Sequence, residues 1–377
     1  MIGVVTTSYP RSPDDGAGVF VRERVRALLA EGHTVEILAA GARDGTSADA
    51  GCKDGDDDGQ VTRIEAGALF YEGGAPEALE SPDRMRRLQA FWQGARFSLA
   101  MLRHLTERRN RWDAVESHWL VPCGLLACAA LPDLPHRAHV HGGDLYLLAR
   151  LPWGDSLGRT LCRHKPTLVF ASASLRDRFF RVIGGTSEAF GAHFTVEPAP
   201  FAARVFLHRS DEDKRRLRDA LGFGPPTVLA AGRLVPIKGF DLLVTAIGRI
   251  PAVVRPALVI AGEGSEKTRL AKLARESGVR LQLAGLLGQR ALADCMAAAD
   301  LFVHPCRTLA GGRSEGMPLV VREALACGLP VIASASGGLG ELLGTPGLTL
   351  VEPDDAGALV TAIERALGLG QLEAGHG

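Results

Sequence analysis

Short apolar runs alternate with amphipathic helical patterns along almost the whole chain. Runs of three to six mostly apolar residues are typical of parallel strands that are covered on both faces. Their alternation with helical patterns predicts doubly wound parallel sheets of the α/β class. The first set of runs is Ile2–Thr6, Thr34–Ala39, Val115–His118, His139–His141 and Leu168–Ala171, and the second is Thr227–Ala231, Ala257–Ala261, Leu281–Ala284, Leu301–His304 and Val331–Ala333. Two such sets predict two domains.

The length of the chain agrees with this division, since 377 residues exceed what one hydrophobic core usually supports. Prolines and charged residues cluster between Pro198 and Pro226, as is typical of a boundary between domains. We therefore place a first domain at 1–205, a second at 206–355, and a closing helix with its tail at 356–377. A ligand site is expected in a cleft at the carboxyl ends of the strands.

Composition excludes several classes of protein. The 43 basic and 43 acidic residues balance, which gives no sign of a nucleic-acid partner. No apolar run reaches the length of a membrane span, and the chain opens on a strand without the pattern of a signal peptide. The seven cysteines include no C-x-x-C pair and are expected to be reduced core residues. The expected location is cytoplasmic.

A Gly- and Asp-rich segment, Gly41–Gly59, interrupts the alternation and predicts a surface loop. It carries the spacing of a calcium-binding loop at Asp54, Asp56, Asp58, Gly59 and Glu65. That motif needs a helix before it, which the glycines disfavour, and Val61–Ile64 has the character of a strand. We therefore predict a solvated acidic loop, with calcium binding as the alternative.

Residues 84–111 form a second exception. Residues at alternating spacings of three and four make one apolar helix face: Met85, Leu88, Trp92, Ala95, Leu99 and Leu102. Eight arginines against the single Glu107 make the rest of this segment basic. We expect the apolar face to pack into the core. The alternative is contact with an anionic membrane surface or a phosphorylated acceptor.

The most informative segment is Ser314–Ile332, in which Glu315 and Glu323 lie eight positions apart. A helix is predicted to begin at Pro318 and to end before Gly328. The free N–H groups at its N-terminus belong to Gly316, Met317 and Leu319 and would lie beside a carboxylate. They suit a diphosphate-containing ligand, whose hydroxyl groups the carboxylates could bind. Two incidental acids on a helix are the alternative. Glu323 lies in an apolar stretch, however, and a buried carboxylate needs a partner.

A second pattern follows the first strand of the second domain. Arg233 and Lys238 lie in a loop bounded by Gly232 and Gly239. Two fixed cations at a strand end could neutralise a departing nucleoside diphosphate. Since these cations and a helix dipole would already face the diphosphate, no metal is expected.

Glycines and histidines mark the strand ends of the first domain. Gly16 and Gly18 follow the first strand, where glycine allows close backbone approach to a phosphate or simply makes a turn. His141 ends a predicted strand and is followed by Gly142-Gly143-Asp144. This position favours a role in a cleft. His118, before Trp119, is equally compatible with a packed histidine.

Together these segments resemble the retaining GT-B glycosyltransferases of the large E-x7-E family (glycosyltransferase family 4-like, "glycosyl transferases group 1"). The resemblance covers nearly the whole chain. It implies two Rossmann-like domains that face each other across a cleft, with the acceptor bound by the first and the donor by the second. It also implies a closing helix that crosses back to the first domain. One departure is Ala199–Phe206, which lacks the Asn and Asp of the family's N-G-V-D-x-x-x-F element.

The resemblance also implies roles for individual residues. Glu323 would bind the ribose, Glu315 the sugar and phosphate, and Arg233 and Lys238 the leaving diphosphate. His141 would support the sugar at the reaction centre. Further donor contacts are implied at Gly16, Gly18, Gly262, Leu286, Gly316, Met317, Pro318 and Leu319, and acceptor contacts at His118 and Asp144. Ser336-Gly337-Gly338 is similar to a further glycine element of the family.

The expected activity is therefore retaining, metal-independent hexosyl transfer from a nucleotide-diphosphate sugar, with UDP or GDP as the nucleotide and no cofactor. The acceptor is expected to be a small molecule, a natural product or a lipid-linked saccharide, with peripheral membrane contact through residues 84–111. A non-catalytic nucleotide-sugar-binding protein and a GT-B sugar-nucleotide epimerase are the alternatives.

Overall fold

The computed structural model describes residues 1–12, 15–41, 59–65, 83–224, 226–309 and 314–369. Most of the predicted acidic loop, with Asp54, Asp56 and Asp58, lies outside these ranges, so its calcium spacing stays a prediction. The chain divides into two compact units, Met1–Pro200 and Phe201–Gly377. The sequence placed this boundary at 205.

The first unit contains seven strands and seven helices in its described part. They are β1 (Ile2–Thr6), α1 (Val19–Ala30), β2 (Val35–Gly41), β3 (Gln60–Glu65), α2 (Arg84–Glu107), β4 (Ala114–His118), α3 (Leu125–Ala130), β5 (His136–Val140), α4 (Gly142–Arg150), α5 (Gly154–Arg163), β6 (Thr167–Phe170), α6 (Ala173–Ile183), α7 (Ser187–Phe190) and β7 (His193–Val196). The strands form one parallel sheet in the order β3-β2-β1-β4-β5-β6-β7.

Both faces of this sheet are covered, as continuous apolar strands require. Successive residues of β1 point to opposite faces, so Val4 packs in a core cluster with Val21 and Val25 of α1. Val5 packs in another cluster with Phe97 and other residues of α2. This division explains why the strand is apolar at consecutive positions.

The second unit holds a parallel sheet of six strands in the order β10-β9-β8-β11-β12-β13. Its elements are α8 (Asp211–Leu221), β8 (Thr227–Ala231), α9 (Phe240–Arg249), β9 (Ala257–Ala261), α10 (Lys267–Glu276), β10 (Leu281–Gly285), α11 (Gln289–Ala298), β11 (Leu301–His304), α12 (Leu319–Ala326), β12 (Val331–Ser334), β13 (Leu348–Val351) and α13 (Ala356–Leu367). Val228 and Ala230 of β8 face one core cluster, whereas Leu229 and Ala231 face another that includes Val321 of α12.

Each sheet has a point at which the strand order reverses, between β1 and β4 in the first unit and between β8 and β11 in the second. Loops that leave the carboxyl ends of such neighbouring strands diverge to opposite faces and open a crevice. The predicted fold class, two Rossmann-like doubly wound parallel sheets, is confirmed.

Several details differ from the prediction. His141 is not part of a strand, because β5 ends at Val140 and His141 occupies the N-cap of α4. The short strands β7 and β13 were not predicted. Helix α13 buries Leu359 and Ile363 in a core cluster of the second unit, and the crossing back to the first domain that the resemblance implied stays a prediction.

Helix α2 packs on the sheet by a different face from the one that the sequence predicted. Most of the predicted buried face is exposed: Met85, Leu88, Trp92 and Leu99 are 62, 50, 61 and 72% exposed, whereas Leu102 is partly buried against a core cluster. The helix instead buries Ala90, Phe97, Met101 and Leu105. Both sets have helical spacing, and periodicity alone does not decide which of two apolar faces meets the sheet.

The described cysteines Cys123, Cys128, Cys162, Cys295, Cys306 and Cys327 are buried and free, in agreement with the expectation of reduced core residues. Among the described residues, no helix combines the length and the apolar character needed to span a bilayer.

Candidate functional site

The centre of the candidate site in the second unit is a half-buried ion pair. After β8 the chain passes through Gly232 and a short 3-10 turn, Pro236–Lys238. The Lys238 ammonium donates to Glu315 Oε2 at 3.0 Å, and the two side chains are only 11 and 20% exposed. Two residues that lie 77 positions apart in sequence are thereby brought together.

Both partners of this pair are charged. Burial alone would raise the pKa of Glu315, but the charge of Lys238, with smaller contributions from His304 and Arg233, lowers the pKa to about 2. Burial likewise opposes the charge on Lys238, and the Glu315 carboxylate raises the pKa of the ammonium above its ordinary value. Arg233 therefore brings a second positive charge close to a pair that is neutral overall.

His304 and Cys306 complete this cluster and were not predicted. His304 ends β11 and is fully buried, with its Nε2 2.9 Å from the Sγ of Cys306. Burial, with the nearby charge of Lys238, lowers the pKa of His304 to about 3, so the imidazole is neutral at physiological pH. The signal that could have identified it is its position at the carboxyl end of a strand at the reversal point.

A glycine contact holds the loop that carries Glu315. The Gly338 N–H donates to the Gly316 carbonyl at 2.7 Å. Gly337 has a φ of 62°, and a Cβ there would lie 1.7 Å from the Glu315 carbonyl oxygen. The Ser336-Gly337-Gly338 element therefore positions the Glu315 loop through its backbone, which no other residue type could do at Gly337.

Helix α12 presents the second glutamate. The helix begins at Leu319 and has eight residues, so Pro318 is its N-cap and not its first helical residue as predicted. Glu323 is 5% exposed, and the part of the chain that the structure describes offers its carboxylate no hydrogen bond. Burial raises the pKa of Glu323 to about 7, although the charge of Arg322 opposes this shift. The carboxylate is thus buried at a cost that the folded chain alone does not offset.

Glycines line the adjoining strand ends. The Gly262 N–H donates to the Gly285 carbonyl at 2.7 Å, and the Gly232 N–H donates to the Ala261 carbonyl at 2.9 Å. Gly262 has a φ of 143°, and a Cβ there would lie 1.9 Å from the Gly232 carbonyl oxygen. The loops after β8, β9 and β10 are therefore in backbone contact. Leu286, which follows Gly285 at the end of β10, is 65% exposed.

The first unit gathers aromatic rings at its own reversal point. Phe20 of α1 lies with its ring centroid 4.8 Å from His141 and 5.9 Å from His118. Trp119 lies 4.7 Å from His141, ring to ring, and has a φ of 76°, which is rare for a residue other than glycine. The predicted residues His118 and His141 are thus neighbours. Burial lowers the pKa of His141 to about 3, so the ring is neutral.

A second unpredicted group lies beside these rings. The Glu116 carboxylate accepts two hydrogen bonds from Arg24, at 2.9 and 2.6 Å, and lies 3.1 Å from Nε2 of His139. Burial alone would raise the pKa of Glu116, but His139 and Arg24 lower it to about 2. The ring of His139 stacks on that of His118 at 4.3 Å. This ion pair therefore supports the position of the predicted histidine.

Both carboxylate oxygens of Asp144 accept hydrogen bonds from backbone N–H groups. Its Oδ2 accepts from the Leu120 N–H at 2.7 Å, and its Oδ1 accepts from the N–H groups of His141 and Leu145 at 3.0 and 2.8 Å. Burial raises the pKa of Asp144 to about 7, although these N–H groups lower it. The residue ties the end of β4 to the start of α4, and its acceptor-side role stays a prediction.

Asp144→Ala should therefore lower the free energy of unfolding by about 3 kcal/mol, because it leaves buried N–H groups without an acceptor. Asp144→Asn keeps one acceptor oxygen for the N–H groups of His141 and Leu145 and should cost less, about 1 kcal/mol. Urea denaturation measures both, with Asp177→Ala, at an exposed site, as the control. Equal stability of Asp144→Ala and the wild type would contradict the capping role.

The glycines after β1 separate into two kinds. Gly18 has a φ of 72°, and a Cβ there would lie 2.2 Å from the Ser8 carbonyl oxygen, whereas a Cβ at Gly16 would meet no heavy atom within 4 Å. Gly18→Ala should destabilise the protein by about 2 kcal/mol. Gly16→Ala should change stability by less than about 0.5 kcal/mol. Thermal unfolding of the two variants side by side tests this difference, and equal losses would contradict it.

Among the residues that the structure describes, two clusters bring possible metal-ligand atoms within 4.8 Å of one another: Glu116, His118 and His139, and His304, Cys306 and Glu315. In each cluster the carboxylate is already bound by a cation, Arg24 in the first and Lys238 in the second. The stacked rings of His118 and His139 are inclined by only 14°, so one ion cannot lie in both ring planes. A divalent metal in either cluster would have to displace the cation that already binds the carboxylate.

Comparison with known proteins supports the reading of both units. Residues 15–188 match the family model described as Glycosyltransferase Family 4, and residues 225–368 match that described as Glycosyl transferases group 1. Sucrose-phosphate synthase from Thermosynechococcus elongatus shares the fold, with a TM-score of 0.74, 21% identity and coverage of 98% of this chain and 90% of that one.

Two relatives carry closer sequence similarity. A GDP-mannose-dependent alpha-(1-6)-phosphatidylinositol monomannoside mannosyltransferase of Mycolicibacterium smegmatis is 31% identical over 74% of this chain and 69% of its own length. The GDP-mannose-dependent monoacylated alpha-(1-6)-phosphatidylinositol monomannoside mannosyltransferase of Corynebacterium glutamicum is 40% identical over 43% of this chain. The match spans only 44% of that relative's length. Matches to both units and this identity over most of a relative show that the chain belongs to glycosyltransferase family 4, the "glycosyl transferases group 1", with the GT-B fold.

Proposed function

We propose that this protein is a retaining, metal-independent glycosyltransferase that uses a nucleotide-diphosphate sugar. The observation that carries the proposal is the Lys238–Glu315 pair, whose charged groups lie 3.0 Å apart. The charge of Arg233 also acts on Glu315, and helix α12 begins a few residues after Glu315 in the sequence. A diphosphate that enters this site would exchange part of the Glu315 contact for its own contact with Lys238. The ammonium is already held in place, so little reorganisation is needed when charge develops on the leaving phosphate.

Glu323 is a second residue that supports a nucleotide-sugar site. Its carboxylate is buried and has no hydrogen bond within the described residues, and its pKa is raised to about 7. Vicinal hydroxyls of a ribose would give the carboxylate two donors and would offset its desolvation. An unsatisfied acceptor of this kind is typical of a binding site that is completed by its ligand.

In the first unit, His141 is the residue to which the family resemblance gives a contact with the donor sugar. With a pKa of about 3 the imidazole is neutral, so it would act as a hydrogen-bonding and dipolar partner and not as an acid. A neutral ring does not oppose positive charge that develops on the sugar. The departing phosphate would then take the proton of the acceptor, and the family resemblance supports retention at the anomeric carbon.

The names of the relatives indicate which substrates to try first. The Mycolicibacterium and Corynebacterium relatives are described as GDP-mannose-dependent and as acting on phosphatidylinositol mannosides. We propose GDP-mannose as the donor and a lipid-linked saccharide as the acceptor, ahead of UDP-sugars and small-molecule acceptors. Such an acceptor is presented at a bilayer, so the proposed location is cytoplasmic and peripheral to the inner face of the membrane.

The test is release of nucleoside diphosphate from GDP-mannose, UDP-glucose and ADP-glucose in EDTA, with and without a phosphatidylinositol mannoside. Release that depends on both GDP-mannose and the acceptor, with an α-linked product by NMR, is the expected result. An inverted product would refute retention, and restoration of activity only by added Mg²⁺ would refute metal independence. Binding without turnover of any donor would favour a nucleotide-sugar-binding protein.

A further inference from the structure

Helix α2 has a second apolar face that the described part of the chain leaves exposed. Five large side chains form this outer face, Met85, Leu88, Phe91, Trp92 and Leu99, and each is between 50 and 72% exposed. The rings of Phe91 and Trp92 lie 6.0 Å apart in an edge-to-face arrangement. No residue in the described ranges covers the outer face, although most large apolar side chains of the first unit are buried.

The outer face lies opposite the side by which the helix is anchored. At about 100° per residue, the exposed set centres on the side of Leu88 and Leu99, and the buried set, Ala90, Phe97 and Met101, lies about half a turn away. The helix is 24 residues long. It is therefore fixed to the sheet along one side and presents the other side outward as a continuous apolar stripe.

At about 100° per residue, three arginines of helix α2 lie beside the outer face: Arg84, Arg96 and Arg103. Helix α2 carries Arg84, Arg86, Arg87, Arg96 and Arg103 against the single acid Glu107, so five positive charges less one negative charge leave four. Arg103 pairs with Glu107 at 3.0 Å and Arg86 with Asp83 at 3.8 Å. Within the described residues Arg84 and Arg96 have no ion pair, so their guanidinium groups are available to anions.

We propose that the outer face of α2 docks on an anionic lipid bilayer, with the helix axis parallel to the membrane surface. Leu, Phe and Trp side chains would enter the boundary between headgroups and acyl chains, and the bordering arginines would bind lipid phosphates. The long arginine side chains can extend sideways so that their charges stay at the headgroups. The inference adds the docking surface to the location proposed above, but the binding itself does not depend on glycosyl transfer.

The charges favour a bilayer over a second copy of the chain. A symmetric dimer through the outer face would bring two helices with four net positive charges each against one another. Like charges in such an interface are unfavourable. An anionic bilayer instead supplies an apolar medium and opposite charge at the same boundary, which matches the arrangement of both residue types.

The test is co-sedimentation of the full chain with vesicles of phosphatidylcholine, with and without phosphatidylglycerol. The wild type should bind the anionic vesicles, and Leu88→Ser/Leu99→Ser should weaken this binding about tenfold or more. The matched control, Val253→Ser/Leu343→Ser, removes two aliphatic side chains that are 92 and 79% exposed in the second unit, and should bind like the wild type. Added salt should weaken binding of the wild type.

Trp92 gives an independent readout, because its emission should shift to shorter wavelength when it enters the bilayer. Trp92→Phe should lose most of this shift but still sediment with vesicles. Equal sedimentation of the wild type and Leu88→Ser/Leu99→Ser, or equal binding to neutral and anionic vesicles, would overturn the proposal. So would a concentration-dependent dimer that Leu88→Ser/Leu99→Ser abolishes, with no vesicle binding by the wild type.

Calorimetric titration with a nucleoside diphosphate, without vesicles, separates this inference from the proposed function. Leu88→Ser/Leu99→Ser should bind the nucleotide as the wild type does. In the wild type, absence of vesicle binding with normal nucleotide binding would refute only the docking surface, and vesicle binding without nucleotide binding would refute only the proposed donor site.

Discussion

Lys238→Ala should lower the rate of sugar transfer by about 10³-fold, equivalent to about 4 kcal/mol of transition-state stabilisation. The ammonium lies 3.0 Å from Glu315 Oε2 in the candidate site, and the lysine side chain is 11% exposed. Its removal takes away charge at the leaving phosphate. It also leaves the half-buried Glu315 without its partner, so the pKa of that carboxyl should rise from about 2 toward its ordinary value.

The measurement is steady-state transfer with the donor and acceptor identified for the wild type, together with circular dichroism to show that the variant is folded. Lys272→Ala is the matched control, since Lys272 is 69% exposed and pairs with Glu276 on the surface of α10. The control should stay within about twofold of the wild type. A loss smaller than about tenfold in folded Lys238→Ala would remove Lys238 from the leaving-group role.

Glu323→Gln should stabilise the free protein while it abolishes nucleotide binding. With a pKa raised by burial from 4.5 to about 7, the carboxyl binds its proton more tightly in the folded chain than in the unfolded one. The ionised side chain is therefore destabilising above pH 7 by about 3 kcal/mol, and the penalty disappears below pH 4.5. A glutamine is neutral throughout, so its advantage over the wild type should grow as the pH rises through this window.

Urea denaturation at several pH values measures the first effect, and titration with the nucleotide measures the second. Glu276→Gln, at a side chain that is 60% exposed, is the control and should change neither quantity. A variant at Glu323 that is less stable than the wild type at pH 8 would mean that the carboxylate has a stabilising partner in the folded chain. Unchanged nucleotide affinity would remove Glu323 from the donor site.

Much of the second unit could be predicted because parallel topology fixes which loops meet at the edge of the sheet. Lys238 and Glu315 each follow a strand at the carboxyl edge of the sheet, and parallel topology brings such positions together. The pattern of continuous apolar strands that predicts the sheet therefore also predicts which loops meet. His304 obeys the same rule, and only the absence of a recognisable motif around it kept it out of the prediction.

Other contacts could not be predicted because they depend on tertiary packing. Arg24 and Glu116 lie 92 positions apart, and neither belongs to a motif. Helix α2 offers two apolar faces with the same periodicity, so the sequence does not reveal that Phe97 is buried and Trp92 is exposed. Asp144 has the pattern of a site residue, whereas its carboxylate binds three backbone N–H groups.

The most direct test of the account is thermal unfolding of the purified chain with GDP, UDP and ADP in the presence of EDTA. One nucleoside diphosphate at about a hundredfold excess over its Kd should stabilise the wild type by about 2.7 kcal/mol. The same nucleotide should have little effect on Lys238→Ala and Glu323→Gln. Absence of a shift with all three nucleotides, or an equal shift in the wild type and Lys238→Ala, would contradict a donor site built on the Lys238–Glu315 pair.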